Sequence, residues 1–169
     1  MIKLDRKWKI QLIHHSHTDI GYTERQERIE LYHIDYIKQA IKISEAIKSK
    51  NKEWNGFVWT CETFWAVRLF FSNSSISWQK RFIDAVKRKH ISISANYLNM
   101  NELISDKVLN SAISEASYFG KQHNLKIDSA LTADINGYSW GYGVMRIYCT
   151  KMVYPIFSVA FILTMECTL

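Results

Sequence analysis

The chain has 169 residues, a formal net charge of +6 and a hydrophobic content of 47%. These values are typical of one globular domain with its own core, and they exclude disorder over most of the length and a fixed-period repeat architecture. The basic residues are scattered along the chain, and the two short basic runs, RKWK and KRKH, favour solvated surfaces over a nucleic-acid interface.

The cysteines and the N-terminal segment indicate the compartment. Cys61, Cys149 and Cys167 are odd in number and far apart, which fits neither a disulfide framework nor the CxxC pairs of a structural zinc site. Charges interrupt the N-terminal run MIKLDRKWKIQLIHH, so it does not have the continuous apolar stretch of a secretion signal. We therefore expect a reducing, cytoplasmic location.

Hydrophobic periodicity predicts strands that alternate with helices along most of the chain. The predicted order is strand 8–14, helix 24–48, strand 57–61, helix 77–89, strand 91–97, helix 106–120 and strand 127–133. Asp106 is expected to cap the third helix, which should stop near Gly120. Because each crossover is a dozen residues or more, the fold class is α/β with a parallel sheet, either open or part of a barrel. Four strands do not close a barrel of the usual eight.

Two polar clusters, HHSHTD at 14–19 and ADINGYSWG at 133–141, each follow a predicted strand. Side chains alternate faces along a strand, so His15, His17 and Asp19 should share one face and His14 the other. The ends of parallel strands meet at one edge, which predicts that His17, Asp19 and Asp134 converge. One imidazole and two carboxylates suit a divalent ion such as zinc. The competing interpretation is that the histidine run merely ends a strand in solvent.

Four further polar or aromatic residues are candidates for binding substrate. Glu62 follows the second strand. It is either a structural acid that caps a helix or forms a salt bridge, or a residue with a direct role in the site. Trp65 belongs either to the core or to a surface that stacks on sugar. Tyr138 and Trp140 are candidates for a substrate wall because the neighbouring glycines indicate a loop. The remaining histidines lie in or beside predicted helices and are expected on the surface: His33, His90 and His123.

The last segment, 143–169, does not continue the pattern of the first 142 residues. It contains an uncharged run at 152–165 that includes Pro155. As a helix this run would rise only about 21 Å, short of the ~30 Å hydrocarbon core of a membrane. We expect a divergent hydrophobic tail that is poorly integrated with the rest of the chain. The alternatives are a buried strand and helix, a membrane anchor, and a changed reading frame near Tyr142.

Three motifs in order, HHSHTDIGYT, WTCETFWAVRLFF and DINGYSWG, resemble glycoside hydrolase family 38, the α-mannosidases. The match covers about residues 9–142 and consists of an H-x-D, an E-x-x-W through Glu62 and Trp65, and a D-x-x-G-x-S motif. The resemblance implies part of a distorted (β/α) barrel and a metal-dependent retaining α-mannosidase that acts on a mannose-containing oligosaccharide or glycoside. It also implies that His17, Asp19 and Asp134 bind zinc and that Asp134 is the catalytic nucleophile.

The chain departs from the family pattern at Gly143. The family supplies its acid/base aspartate and a further histidine ligand downstream, so we expect this chain to be a truncated and inactive fragment. Two other functions remain open. His15-Ser16-His17 is also the H-x-H ligand pair of amidohydrolase or PHP phosphoesterase enzymes, although these need more histidines on later strand ends. The second alternative function is that of a non-catalytic residual module that binds sugar.

Overall fold

A computed structural model describes residues 12–50, 56–99, 104–135 and the strand at 158–161. The predicted tail boundary and the predicted first strand before Leu12 lie outside these residues. The elements in chain order are β1 His14–His15, α1 Gln26–Lys50, β2 Trp59–Cys61, α2 Phe64–Asn73, α3 Ile76–Lys87, β3 Ile91–Ile93, α4 Asp106–His123, β4 Ser129–Thr132 and β5 Ser158–Phe161.

The described strands are parallel to their neighbours, as the alternating pattern predicts. β1 pairs with β2 and β2 pairs with β3, while β4 pairs with β5. A parallel bridge between Ser94 and Ser129 joins the two groups, and the amide of Ala95 donates to the carbonyl of Ser129 at 2.8 Å. The protein is therefore an α/β protein, and the carboxyl ends of β1 to β4 lie at one edge.

The core lies between the sheet and the helices. Along α1, buried residues recur every three or four positions and form one apolar face that includes Ile37 and Ile41. Phe70 of α2 and Phe82 of α3 are fully buried, with ring centroids 5.4 Å apart. Burying a side chain of this size contributes about 1.5–3 kcal/mol, so these two rings fix the helices against the sheet.

Helix α2 is not predicted by the sequence pattern, which indicates three helices where the structure has four in the described residues. The segment FWAVRLFF is apolar around most of its circumference, and Arg68 is its one exposed residue. A helix that is buried on nearly all sides shows no polar stripe, so hydrophobic periodicity does not reveal it.

The ends of α4 differ from the prediction at both termini. Ser105 is the N-cap, since its side chain accepts from the amide of Val108, and Asp106 is the first helical residue. The helix continues through Gly120 and ends at His123, and its C-cap Asn124 has a left-handed φ of 53°. A Cβ at Gly120 would lie 3.0 Å from the carbonyl oxygen of Leu125, so glycine is needed there for close packing and does not end the helix.

Part of the divergent tail has a defined place in the sheet. Ser158–Phe161 pairs in parallel with β4, from Ser129 opposite Ser158 to Thr132 opposite Phe161. This pairing agrees with the strand of the alternative interpretation, whereas the helix of that alternative lies outside the described residues. The poor integration of the tail stays a prediction. Among the residues that the structure describes, no helix has both the length and the apolar character needed to cross a membrane.

Candidate metal centre

The candidate site lies at the carboxyl edge of the sheet. His15 ends β1, Glu62 directly follows β2, and Asp134 lies two residues beyond β4. The chain after β3 contributes Asn99 to the same place, where it contacts Glu62. Four neighbouring strands thus each bring a polar side chain to one point.

His17, Asp19 and Asp134 converge, as the sequence predicts. One ligand atom from each lies within 4.8 Å of the others. His17 Nε2 and Asp134 Oδ2 are 3.5 Å apart. Ligand atoms bound to a tetrahedral zinc ion at 2.0–2.2 Å lie about 3.4 Å from one another, so a small inward movement suffices. The donor set of one imidazole and two carboxylates therefore fits a divalent ion.

The backbone turns sharply at Asp134. Its φ of 52° is in the left-handed region, which aspartate and asparagine adopt more readily than most residues. Such a conformation costs of order 1 kcal/mol or more, and non-glycine residues with it cluster at functional sites. The side chain is 74% exposed, so the carboxylate is accessible to a ligand.

Glu62 lies beneath this group and is 6% exposed. Its Oε2 is 2.6 Å from His15 Nδ1, and its Oε1 is 2.7 Å from His17 Nδ1. Asn99 Nδ2 donates to Oε1 at 2.6 Å. Desolvation raises the pKa of the carboxyl, but the hydrogen bonds from His15, His17 and Asn99 outweigh it and the net pKa is lowered. Glu62 is therefore a buried, ionised carboxylate at neutral pH.

Negative charge also dominates the surroundings of His17. Partial burial lowers the pKa of the imidazole, but the hydrogen bond and charge of Glu62 and the charges of Asp134 and Asp19 together raise it. The opposite shifts of His17 and Glu62 agree, since each stabilises the charged form of the other. A site that stabilises a protonated imidazole in this way also attracts a metal cation.

A cavity of about 230 Å³ opens above the cluster. Trp65 forms part of its wall and is partly buried against the core. Its stacking on sugar stays a prediction. Besides residues 16–20, the cavity is lined by Glu62, Thr63, Trp65, Leu98, Asn99, Asp134 and, from α1, His33. Tyr138 and Trp140, the other predicted wall residues, lie outside the described residues.

The prediction that His33 is a surface residue is wrong. It is 9% exposed, its Nε2 is 2.6 Å from Thr18 Oγ1, and its ring meets the Trp65 ring edge-on at 5.3 Å. Burial lowers its pKa. The signal was present in the sequence, because His33 lies midway between Ile29 and Ile37 on the buried face of α1.

His14, His90 and His123 lie away from the cluster. The His14 ring packs against Phe57 at 5.0 Å, on the face opposite to His15 and His17, as strand parity predicts. His90 contacts the Phe57 carbonyl through Nδ1 at 3.3 Å, and His123 packs against Phe119 at 4.5 Å. Each of these histidines has a structural partner.

Two polar residues after β3 have different positions. Asn96 is 1% exposed, and its Nδ2 donates to the Leu131 carbonyl at 3.3 Å, which ties β3 to β4. Asn99 reaches the site, although no motif or periodicity in the sequence marks it. Besides its bond to Glu62, its Oδ1 accepts from the amide of Ala133 at 3.3 Å, next to Asp134.

Comparison of the chain with protein-family models and with curated proteins gives no match. The fold and site therefore define a class: an α/β protein with a histidine–carboxylate cluster at the carboxyl edge of a parallel sheet. The family 38 motifs remain a resemblance in sequence.

Proposed function

We propose that the protein binds a divalent metal ion, zinc first of all, through His17, Asp19 and Asp134. The convergence of these three side chains from separate parts of the chain supports the proposal. The raised pKa of His17, to which Asp134 and Asp19 contribute, adds to it because the same negative field attracts a cation. The donor types favour zinc over calcium or magnesium, which prefer all-oxygen sites.

We further propose that this centre belongs to a metal-dependent retaining α-mannosidase, with the described strands forming part of a distorted (β/α) barrel. The resemblance of three motifs to family 38 supports this, together with the exposed carboxylate of Asp134 at the mouth of the cavity. Asp134 would attack the anomeric carbon of the sugar and form a glycosyl ester. A bound metal ion would hold sugar hydroxyls and favour ring distortion.

The proton donor of this reaction is not Glu62. A retaining glycosidase needs a carboxylic acid about 5–5.5 Å from the nucleophile, protonated when the bond breaks. The pKa of Glu62 is lowered by its hydrogen bonds, and both of its oxygens already accept bonds from imidazole or amide groups. The proposal therefore assigns the acid to a residue other than Glu62.

Metal binding can be tested with a matched pair of histidine variants on opposite faces of one strand. Calorimetric titration of the metal-free full chain with zinc should give one ion per chain. His17→Ala should weaken binding strongly, whereas His14→Ala, whose ring packs on Phe57, should leave it unchanged. Equal affinities of wild type and His17→Ala would contradict the site.

The glycosidase function needs a substrate that bypasses the acid. A dinitrophenyl α-mannoside has a leaving group that departs without protonation, whereas general acid catalysis contributes about 10²–10⁴ in rate for poorer leaving groups. Although the chain should hydrolyse mannosides with poorer leaving groups negligibly, we expect zinc-dependent release of dinitrophenolate from this substrate, absent in Asp134→Asn, and a mannosyl ester on Asp134 in mass spectra. Zinc binding with neither product would favour a module that binds sugar without catalysis. Release from a phosphoester but not from the mannoside would favour the phosphoesterase alternative.

A further inference from the structure

We propose that Glu62 is a positioning residue that holds His17 as its Nδ1–H tautomer and thereby presents the Nε2 lone pair to the metal ion. The claim about metal affinity rests on the proposed function. The claim that Nδ1 of His17 carries the proton concerns the metal-free protein and does not depend on the proposed function.

The tautomer follows from the hydrogen-bonding capacity of the partners. An ionised carboxylate only accepts hydrogen bonds, so an imidazole nitrogen at 2.7 Å from Glu62 Oε1 must carry the proton. That nitrogen is Nδ1 of His17. A neutral His17 ring then has its lone pair on Nε2, and Nε2 is the atom that lies 3.5 Å from Asp134 Oδ2. The nitrogen facing the other ligands is thus the one free to bind metal.

The carboxylate itself is held in place from three directions. His15 Nδ1 occupies Oε2, while Asn99 Nδ2 and His17 Nδ1 share Oε1. Rotation of the carboxylate would break at least one of these bonds in a site that is 6% exposed, where a lost partner is not replaced by bulk water. Glu62 therefore offers His17 an acceptor at one fixed position.

The same bonds close a ring that connects His17 to Asp134 by a second route. Asn99 Oδ1 accepts from the amide of Ala133, the residue before Asp134. The ring runs from His17 through Glu62 and Asn99 to Ala133 and returns through Asp134. A displacement of Glu62 would therefore move both the imidazole and the strand end that carries the second ligand.

Metal affinity should respond to the loss of this arrangement. A His17 ring with its proton on Nε2 has to shift that proton or turn over before it can bind, which raises the free energy of the bound state. Partners that orient a ligating histidine typically contribute 10–100-fold in metal affinity. We expect a change of that size for Glu62→Gln, because the amide has one oxygen and one N–H₂ group and no longer accepts from both histidines.

The experiment uses the full chain and two independent readouts. Long-range ¹H–¹⁵N NMR spectra of the metal-free protein, recorded well above pH 6.5 so that the ring is neutral, report which nitrogen of His17 carries the proton. Competition titration reports the zinc affinity. We expect Nδ1–H in the wild type, loss of that preference in Glu62→Gln, and a Kd raised ~10–100-fold. Glu45→Gln is the matched control, since Glu45 also pairs with a cation, Arg81, but lies away from the site. It should change neither quantity.

The outcomes separate the positioning role from the metal function. Nε2–H in the wild-type protein, or an unchanged tautomer in Glu62→Gln, overturns the inference whether or not zinc binds. A changed tautomer with an unchanged Kd for zinc in Glu62→Gln overturns the claim that Glu62 raises the metal affinity. The expected tautomers in a wild-type protein that binds no zinc would support the positioning role and refute the proposed function. If Glu62→Gln does not fold, Asn99→Ala removes one donor to the carboxylate and should give the same changes with smaller size.

Discussion

The two carboxylates of the candidate centre repel each other in the metal-free protein, and Asp134→Asn removes that repulsion. Ligand atoms of Asp19 and Asp134 lie within 4.8 Å, and the Asp134 side chain is 74% exposed, so the dielectric constant of water applies. Two charges at this distance repel by about 0.9 kcal/mol, or about 0.5 kcal/mol after screening by ~0.1 M salt. Asparagine also tolerates the left-handed backbone. We therefore expect the metal-free variant to gain about 0.5–0.9 kcal/mol in free energy of unfolding.

Zinc should reverse the order of stability. An ion present at about 100 times its Kd stabilises the folded chain by about 2.7 kcal/mol, and each tenfold loss of affinity removes about 1.4 kcal/mol of that. Replacing the charged Asp134 ligand by an amide should weaken binding by ~10-fold or more. Asp134→Asn should then be more stable than the wild type without zinc and less stable with it.

Urea unfolding followed by circular dichroism, with a chelator and with a fixed excess of zinc, measures both effects. The pH should lie well above 6.5, because the pKa of His17 is raised and a protonated ring would attract Asp134. Asp128→Asn is the control, since Asp128 pairs with Lys126 at 2.7 Å and is not a ligand. Destabilisation of metal-free Asp134→Asn would refute the repulsion argument. Equal zinc stabilisation of variant and wild type would show that Asp134 is not a ligand.

Three further predictions concern stability and reactivity. Ser105→Ala should lower the free energy of unfolding by about 0.5–1 kcal/mol, because the Ser105 hydroxyl caps α4. Ser75→Ala should lower it less, since Ser75 starts α3 without a side-chain bond of this kind. Equal losses for the two variants in urea unfolding would contradict the capping role. Burial lowers the pKa of His33, so the unfolded chain binds a proton before the folded chain does as the pH falls below 6.5, and the free energy of unfolding decreases over that range. His33→Gln should flatten this part of the stability–pH curve. An unchanged slope would exclude His33 as the cause of the decrease. Burial raises the pKa of the Cys61 thiol to about 12, so the folded chain keeps a proton that the unfolded chain releases above 9.0, and stability should fall as the pH rises through that range. With the other two cysteines replaced by serine, a thiol reagent at neutral pH should label Cys61 only as fast as the chain unfolds, and rapid labelling would contradict its burial.

The meeting of His17 with Asp134 was predictable because it depends on the backbone alone. Strand parity separates His14 from His15 within β1, and His17, two residues beyond β1, reaches the same carboxylate as His15. The common edge of parallel strands then brings the end of β4 to the end of β1. Neither rule needs any knowledge of side-chain packing.

The role of Glu62 was not predictable in the same way. Its position at a strand end was apparent from the sequence. However, an acid that caps a helix, an acid in a salt bridge and an acid in a functional site can all follow a strand in this way. The distinction depends on two histidines and Asn99 reaching one carboxylate, which are side-chain contacts between different strands. Asn99 lies some residues beyond β3, where strand parity no longer applies.

Helix α2 escaped prediction for an energetic reason that also bears on the site. Its apolar residues are buried on nearly all sides, so tertiary packing stabilises it more than an amphipathic pattern does. Its first amide, that of Phe64, donates to the carbonyl of Asn96 at 2.7 Å, and that of Trp65 donates to Tyr97 at 3.1 Å. These bonds tie the start of α2 to the chain after β3 and so fix the segment that carries Glu62.

The candidate site combines two arrangements that each oppose stability in the absence of a ligand. Asp134 has a left-handed φ of 52°, and Asp19 lies close enough to Asp134 to repel it. A sequence selected for folding alone would favour glycine or asparagine at position 134. A cation bound between His17 and the two aspartates would offset the repulsion and use the exposed carboxylate. The coincidence of these costs at one strand edge supports the proposal that a ligand binds there.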